Sequence, residues 1–157
     1  RLDMEKIKLI ILLFSLTVFS QSDSAINDDF KSIEKIADSL FKNKNFMEAT
    51  NYYEKLVKAM PNDFDYSFKY AGSYGLYVES LPRLQQVKHI RQMIKRFETA
   101  FNLKKDDIEI NRALLEIYLR VPRFFGGGNK KAKMILENIY SISVEEGKKS
   151  ELFYNSF

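Results

Sequence analysis

From about residue 26 onward, apolar residues recur at intervals of three and four, the spacing of one helix face, and no stretch sustains the strict alternation of a half-buried strand. Phe30, Ile33, Ile36, Ala37 and Leu40 fall on one stripe, which breaks at Asn43, Lys44 and Asn45. A second stripe of Phe46, Ala49, Tyr53, Leu56, Val57 and Met60 stops at Pro61, because proline disfavours helix at the residue before it. Two helices joined by a short polar turn make an antiparallel hairpin. The pattern then recurs. Phe64, Phe68, Ala71 and Tyr74 open a third helix, and Leu84, Val87, Ile90, Ile94, Phe97 and Phe101 line a long fourth that ends at the polar run 104–107. Ile110, Leu114, Ile117, Tyr118 and Val121 mark a fifth helix, and Ala132, Ile135, Leu136 and Ile139 a sixth.

Helices in pairs, each pair closed by a polar turn, point to an all-α repeat array with about three hairpins in residues 26–142. The pairs align internally: Tyr53, Phe97 and Leu136 sit at matching places, each followed three residues later by Leu56, Ala100 and Ile139. Residues 143–157 read as a capping helix or as the start of a further repeat.

Ala37 and Leu40, then Ala49, Tyr53 and Leu56, then Pro61 carry a specific pattern: residues 30–63 resemble a tetratricopeptide repeat, whose period is roughly 34 residues. Residues 63–107 depart from it by about ten extra positions, placed around Tyr77 to Gln86. The third unit is stretched by Pro122 to Asn129. The run Pro122, Arg123, Phe124, Phe125, Gly126, Gly127, Gly128, followed by Lys131 and Ala132, is similar to a branch of exported bacterial repeat proteins, some of which serve as accessory subunits of solute transport systems. The resemblance implies a short right-handed solenoid of stacked hairpins with a concave groove lined by the first helix of each pair. Carried over by spacing, the groove positions are Lys31, Glu34, Asp38 and Phe41, then Asp65, Phe68 and Gly72, then Glu109, Arg112, Glu116 and Arg120. The set mixes both charges with aromatics and favours no single ligand class.

Composition changes this picture at the N-terminus. Lys6 and Lys8 precede an apolar run, Leu9 to Phe19, of about 11 residues, short of the roughly 20 a membrane span needs, and small and polar residues follow. This is the pattern of a secretory signal peptide over residues 1–21, with Met4 as the expected start and a cut before Gln21 or after Ala25. It implies export to the periplasm or outside a Gram-negative cell. With no cysteine in the chain, disulfides, zinc-thiolate sites and a thiol nucleophile are excluded. The formal charge is +4, with both signs interspersed, which speaks to solubility before nucleic acid.

Candidate chemistry is sparse. Gly126, Gly127, Gly128, Asn129 and Lys130 could cradle a phosphate, but no strand precedes them and Lys131 stands where a P-loop needs Ser or Thr. The favoured reading is a turn with Asn129 capping the sixth helix, and with Phe124 and Phe125 either tucked into the core, at least one of them buried, or presenting an aromatic edge to a partner. His89 is the one histidine, so a histidine metal site or a hydrolytic triad lacks its parts. Lys88, Arg91 and Lys95 share a helix face, read as a solvated outer face, with an anionic surface such as lipid headgroups or acidic polysaccharide as the alternative. The acidic pairs Asp28–Asp29, Asp106–Asp107 and Glu145–Glu146 suit helix starts better than a glycosidase cleft.

The expectation is a non-catalytic scaffold with no cofactor, binding a protein or peptide segment through the groove or the Phe124–Gly128 loop. Nucleic acid is not expected, and membrane contact is expected only through an uncleaved signal segment. Leu152, Phe153 and Phe157 at the C-terminal end raise self-association. The alternative is a small-ligand module with an apolar pocket lined by Phe68, Tyr74 and Tyr118.

Overall fold

In the computed structural model the described residues are 28–157, so the expected signal segment lies outside them. These residues are all-α, and no strand occurs among them. Helix α1 covers 28–42. It is followed by α2 (Phe46–Ala59), α3 (Phe64–Ser80), α4 (Arg83–Leu103), α5 (Ile108–Arg120), α6 (Asn129–Ile142) and α7 (Val144–Tyr154), with a 3-10 turn at Arg123–Phe125 between α5 and α6. From α2 onward each helix packs on the next in sequence, and α5 also meets α7. The described residues form a run of consecutive helix hairpins stacked into a short solenoid. No described helix is long and apolar enough to cross a membrane.

Small residues let the hairpins close. Ala37, Ala49, Ala71, Ala100 and Ala132 are all fully buried. A Cβ on Gly75 would stand 3.2 Å from the Phe97 ring, so glycine serves the same end at the α3–α4 crossing. The aligned large residues fill the remaining space: Tyr53, Phe97 and Leu136 are buried, as are Leu56 and Ile139 one turn on. Two apolar clusters result. One, around Ala37, Ala49, Tyr53 and Leu56, belongs to the first hairpin. The other runs from Ala71 through Ile94, Ile110, Leu114 and Tyr118 to Ile139.

The helix ends follow local chemistry. Asp63 accepts from the Tyr66 amide (2.9 Å) and Asp107 from those of Glu109 (3.0 Å) and Ile110 (3.2 Å), each satisfying amides that have no partner inside the helix. Ser143 caps α7 by accepting from Glu146 N at 3.3 Å. At the end of α1, Asn45 N reaches Leu40 O and Lys44 N reaches Phe41 O, with Lys44 at φ 61 in the left-handed region that usually calls for glycine.

Three expectations are corrected. Leu84 and Val87, placed on the apolar stripe of α4, are 88% and 43% exposed. The added length of the second unit extends both its helices, to 17 and 21 residues, beyond the 14 of α2 and 13 of α5. Ile36, expected inside, is 45% exposed on α1. Asn129 does not cap α6. It is the first helical residue, Gly128 occupies the cap, and the Asn129 side chain instead accepts from the Tyr154 hydroxyl.

Asn111 is a polar residue in the core that the apolar stripes do not reveal. Fully buried, it donates to Lys105 O (2.8 Å) and Asp107 O (2.7 Å) and accepts from Asn138 (2.8 Å), so it ties the α4–α5 turn to α6.

Candidate functional site

The expected groove residues divide into three groups. On α1, Glu34 and Asp38 are drawn into a network across to α3. Lys69 Nζ donates to Glu34 Oε1 (2.6 Å) and Asp38 Oδ1 (3.0 Å), the Tyr53 hydroxyl to Asp38 (2.6 Å), and the Tyr66 hydroxyl to Glu34 (3.2 Å). Phe41 packs edge-on against Phe46 at 5.5 Å, inside the first hairpin, while Lys31 is exposed. In the middle, Phe68 stacks on Phe64 at 5.6 Å and is partly buried against the larger core, with Asp65 exposed beside it.

The third group meets α7. Arg112 pairs with Glu109 (3.3 Å) and with Glu146 of α7, Glu116 with Arg120 (2.7 Å), and the Arg120 guanidinium lies 5.3 Å from the Phe157 ring. Between α5 and α7 lies an open cleft of about 220 Å³ lined by Arg112, Leu115, Glu116, Lys149, Ser150 and Phe153. Its floor is apolar and its rim carries both signs. Phe153 is partly buried and contacts Phe157 at 5.2 Å, whereas Leu152 (76%) and Phe157 (60%) are exposed.

The network on α1 and α3 has an electrostatic signature. Burial alone would raise the Asp38 carboxyl, but hydrogen bonds from Tyr53 and Lys69 outweigh it and hold the group below its usual value. Burial would lower Lys69, and its hydrogen bonds to Glu34 and Asp38 reverse the sign and raise it. Burial, then Asp38, pushes the Tyr53 hydroxyl well up. The depressed carboxyl contributes stability present above its unfolded value, near 4, and lost as pH falls through the folded one. The raised lysine and tyrosine contribute stability present below their unfolded values, near 10, and lost as pH rises. Melting temperatures of the protein and of Lys69→Met should therefore differ by a constant amount between about pH 5 and 10, and converge at both extremes. A gap of unchanged size at about pH 3 would disconnect the network from this titration.

The Phe124–Gly128 loop is built tightly. Gly126 and Gly128 both have φ 104, a region that residues with a Cβ rarely adopt, and Gly127 is buried against the backbone of Val121. The glycine amides do not form a cradle: Gly126 N donates to Arg123 O (3.0 Å), Gly127 N to Pro122 O (3.3 Å) and Gly128 N to Tyr118 O (2.7 Å). Phe125 is partly buried against the core and Phe124 is 69% exposed. Arg91 of α4 donates to the Phe124 carbonyl at 2.8 Å. Loop and helix flank a shallow, open depression of about 270 Å³ lined by Arg91, Ile94, Glu98, Arg123, Phe125 and Lys131 among others.

Phe68, Tyr74 and Tyr118 do not gather in one pocket. Tyr118 is buried, donates to Glu98 at 2.7 Å and has Lys131 over its ring. Tyr74 is buried elsewhere, with its hydroxyl 2.7 Å from both His89 Nδ1 and Gln92 Oε1. The Arg96 guanidinium stands 3.6 Å from the Tyr74 ring and 4.2 Å from that of Tyr70, so two aromatic faces meet a buried nitrogen that has no hydrogen-bond partner.

Periodicity did not single out Lys69 or Lys149, and Phe153, expected exposed at the C-terminal end, is instead partly buried against the larger core and lines the cleft. For α7 a signal existed in Ser143 and Glu146, a capping-box spacing between the cap and the first turn of the helix. No group of three or more metal-ligating side chains lies together among the described residues. No protein-family model matches the chain, and no curated protein matches it.

Proposed function

We propose that the protein is a non-catalytic scaffold whose first-helix face, ending in the α5–α7 cleft, holds a segment of another protein in an exported compartment. The observation that carries this reading is the cleft itself. An apolar floor of Leu115 and Phe153 can take an anchoring side chain, while Arg112, Glu116 and Lys149 can fix polar groups on either side of it. The likeness of residues 30–63 to a tetratricopeptide repeat supports the same reading, since such repeats hold peptides along the first helices of their pairs. The small-ligand alternative has less support, because Tyr74 and Tyr118 are buried in separate places with their hydroxyls engaged.

Panning a displayed peptide library against the protein, then titrating the selected peptides by calorimetry, tests the proposal. Binding should fall at least about tenfold, roughly 1.4 kcal/mol, in the double variant Glu116→Lys, Lys149→Glu, with circular dichroism unchanged. Peptides that bind the variant as well as the parent, or failure to select any, would sink the reading.

A further inference from the structure

One face of the molecule is cationic and apolar at once, and it uses no residue of the α5–α7 cleft. Leu84, Lys88, Arg91 and Lys95 follow one another at helical spacings of four, three and four along α4, on the side turned away from the buried residues Ile94, Phe97 and Ala100. Arg83, Lys88, Arg91 and Lys95 are exposed on α4 against the single acid of residues 83–98, Glu98, while Arg96 turns inward to the Tyr70 and Tyr74 rings; residues 121–133 add Arg123, Lys130, Lys131 and Lys133 with no acid. Glu98 is already matched, accepting from Tyr118 (2.7 Å) and Lys131 (2.9 Å). No ion pair to Lys88, Arg91, Lys95 or Arg123 occurs among the described residues.

Two of the most exposed large apolar side chains occupy the same face. Leu84 is 88% exposed on the first turn of α4, about 10 Å along the axis from Arg91. Phe124 is 69% exposed at the tip of the glycine loop, and Arg91 holds its carbonyl. Gly126 and Gly128, at φ 104, fix that loop so that Phe124 projects while Phe125 turns in.

We infer that this face docks on the surface of an anionic lipid bilayer. The cations of α4 and Arg123 would meet lipid phosphates, with the depression behind Phe124 open to a headgroup, and Leu84 and Phe124 would enter the boundary between headgroups and chains. An acidic polysaccharide or a nucleic acid would satisfy the charges, but it would leave exposed aliphatic Leu84 without a use. A bilayer accounts for both features.

Cosedimentation with vesicles of phosphatidylcholine and phosphatidylglycerol, against phosphatidylcholine alone, tests the inference. Binding is expected to the mixed vesicles only, and to weaken as salt is raised. Each cation removed, as in Lys88→Gln or Arg91→Gln, should lower the partition constant about fivefold. Leu84→Ser combined with Phe124→Ser should lower it by about tenfold or more at unchanged charge and unchanged melting temperature. No binding, equal binding to both vesicles, or binding indifferent to the Leu84 and Phe124 changes would overturn the inference. The last outcome, together with retention on heparin, would assign the face to soluble polyanions.

Discussion

Gly127→Ala is expected to cost about 3 kcal/mol of stability, the upper end of what overpacking costs. A Cβ at this position would lie 2.0 Å from the Val121 carbonyl oxygen and 2.8 Å from its carbon, so the clash is with backbone and no rotamer change can relieve it. The loop would have to lift from the end of α5, breaking the bonds of Gly127 N to Pro122 O and Gly128 N to Tyr118 O. Urea unfolding reads the effect as a lower midpoint with an unchanged slope. A loss under about 0.5 kcal/mol, the level of an ordinary surface substitution, would show that the approach of Gly127 to Val121 is not held in solution. The same variant should weaken vesicle binding, because Phe124 is carried by this seat.

Leu114→Ala should cost at least as much, about 3–4 kcal/mol, since the residue is fully buried in the larger cluster and its removal leaves a cavity there. Packed among Ile110, Leu115 and Tyr118 on α5 and the apolar faces of α4 and α6, it has no solvent to collapse toward. Thermal and urea unfolding of the variant should agree on the loss. A cost near 1 kcal/mol would place Leu114 at a site able to close around the gap.

Much of the fold was legible because apolar spacing is a local property that burial then obeys. The alanines at the crossings and the aligned set Tyr53, Phe97 and Leu136 are inside for the reason their spacing suggests. The misplacement of Leu84 has a different origin. Whether a stripe is covered depends on the length of neighbouring helices, and here α3 and α4 were extended together. Charged positions were the hardest to read. Glu34 and Asp38 look free on a helical wheel, but their partner Lys69 stands 35 and 31 residues away, a pairing that periodicity along one helix does not encode. Asn129 satisfies every local rule for a cap, yet glycine at φ 104 took that place and the amide side chain found Tyr154.

The separation of the apolar residues into two clusters bears on how the molecule comes apart. The seam between them is in part hydrophilic: Thr50 donates to Ser73 (3.0 Å, buried) across α2 and α3, and Lys69 reaches back to α1. Ala37, Ala49, Tyr53 and Leu56 form the buried apolar centre of the first hairpin. Amide protons of α1 and α2 should therefore exchange with solvent deuterium through partial opening events, while those of α5 and α6 wait for global unfolding.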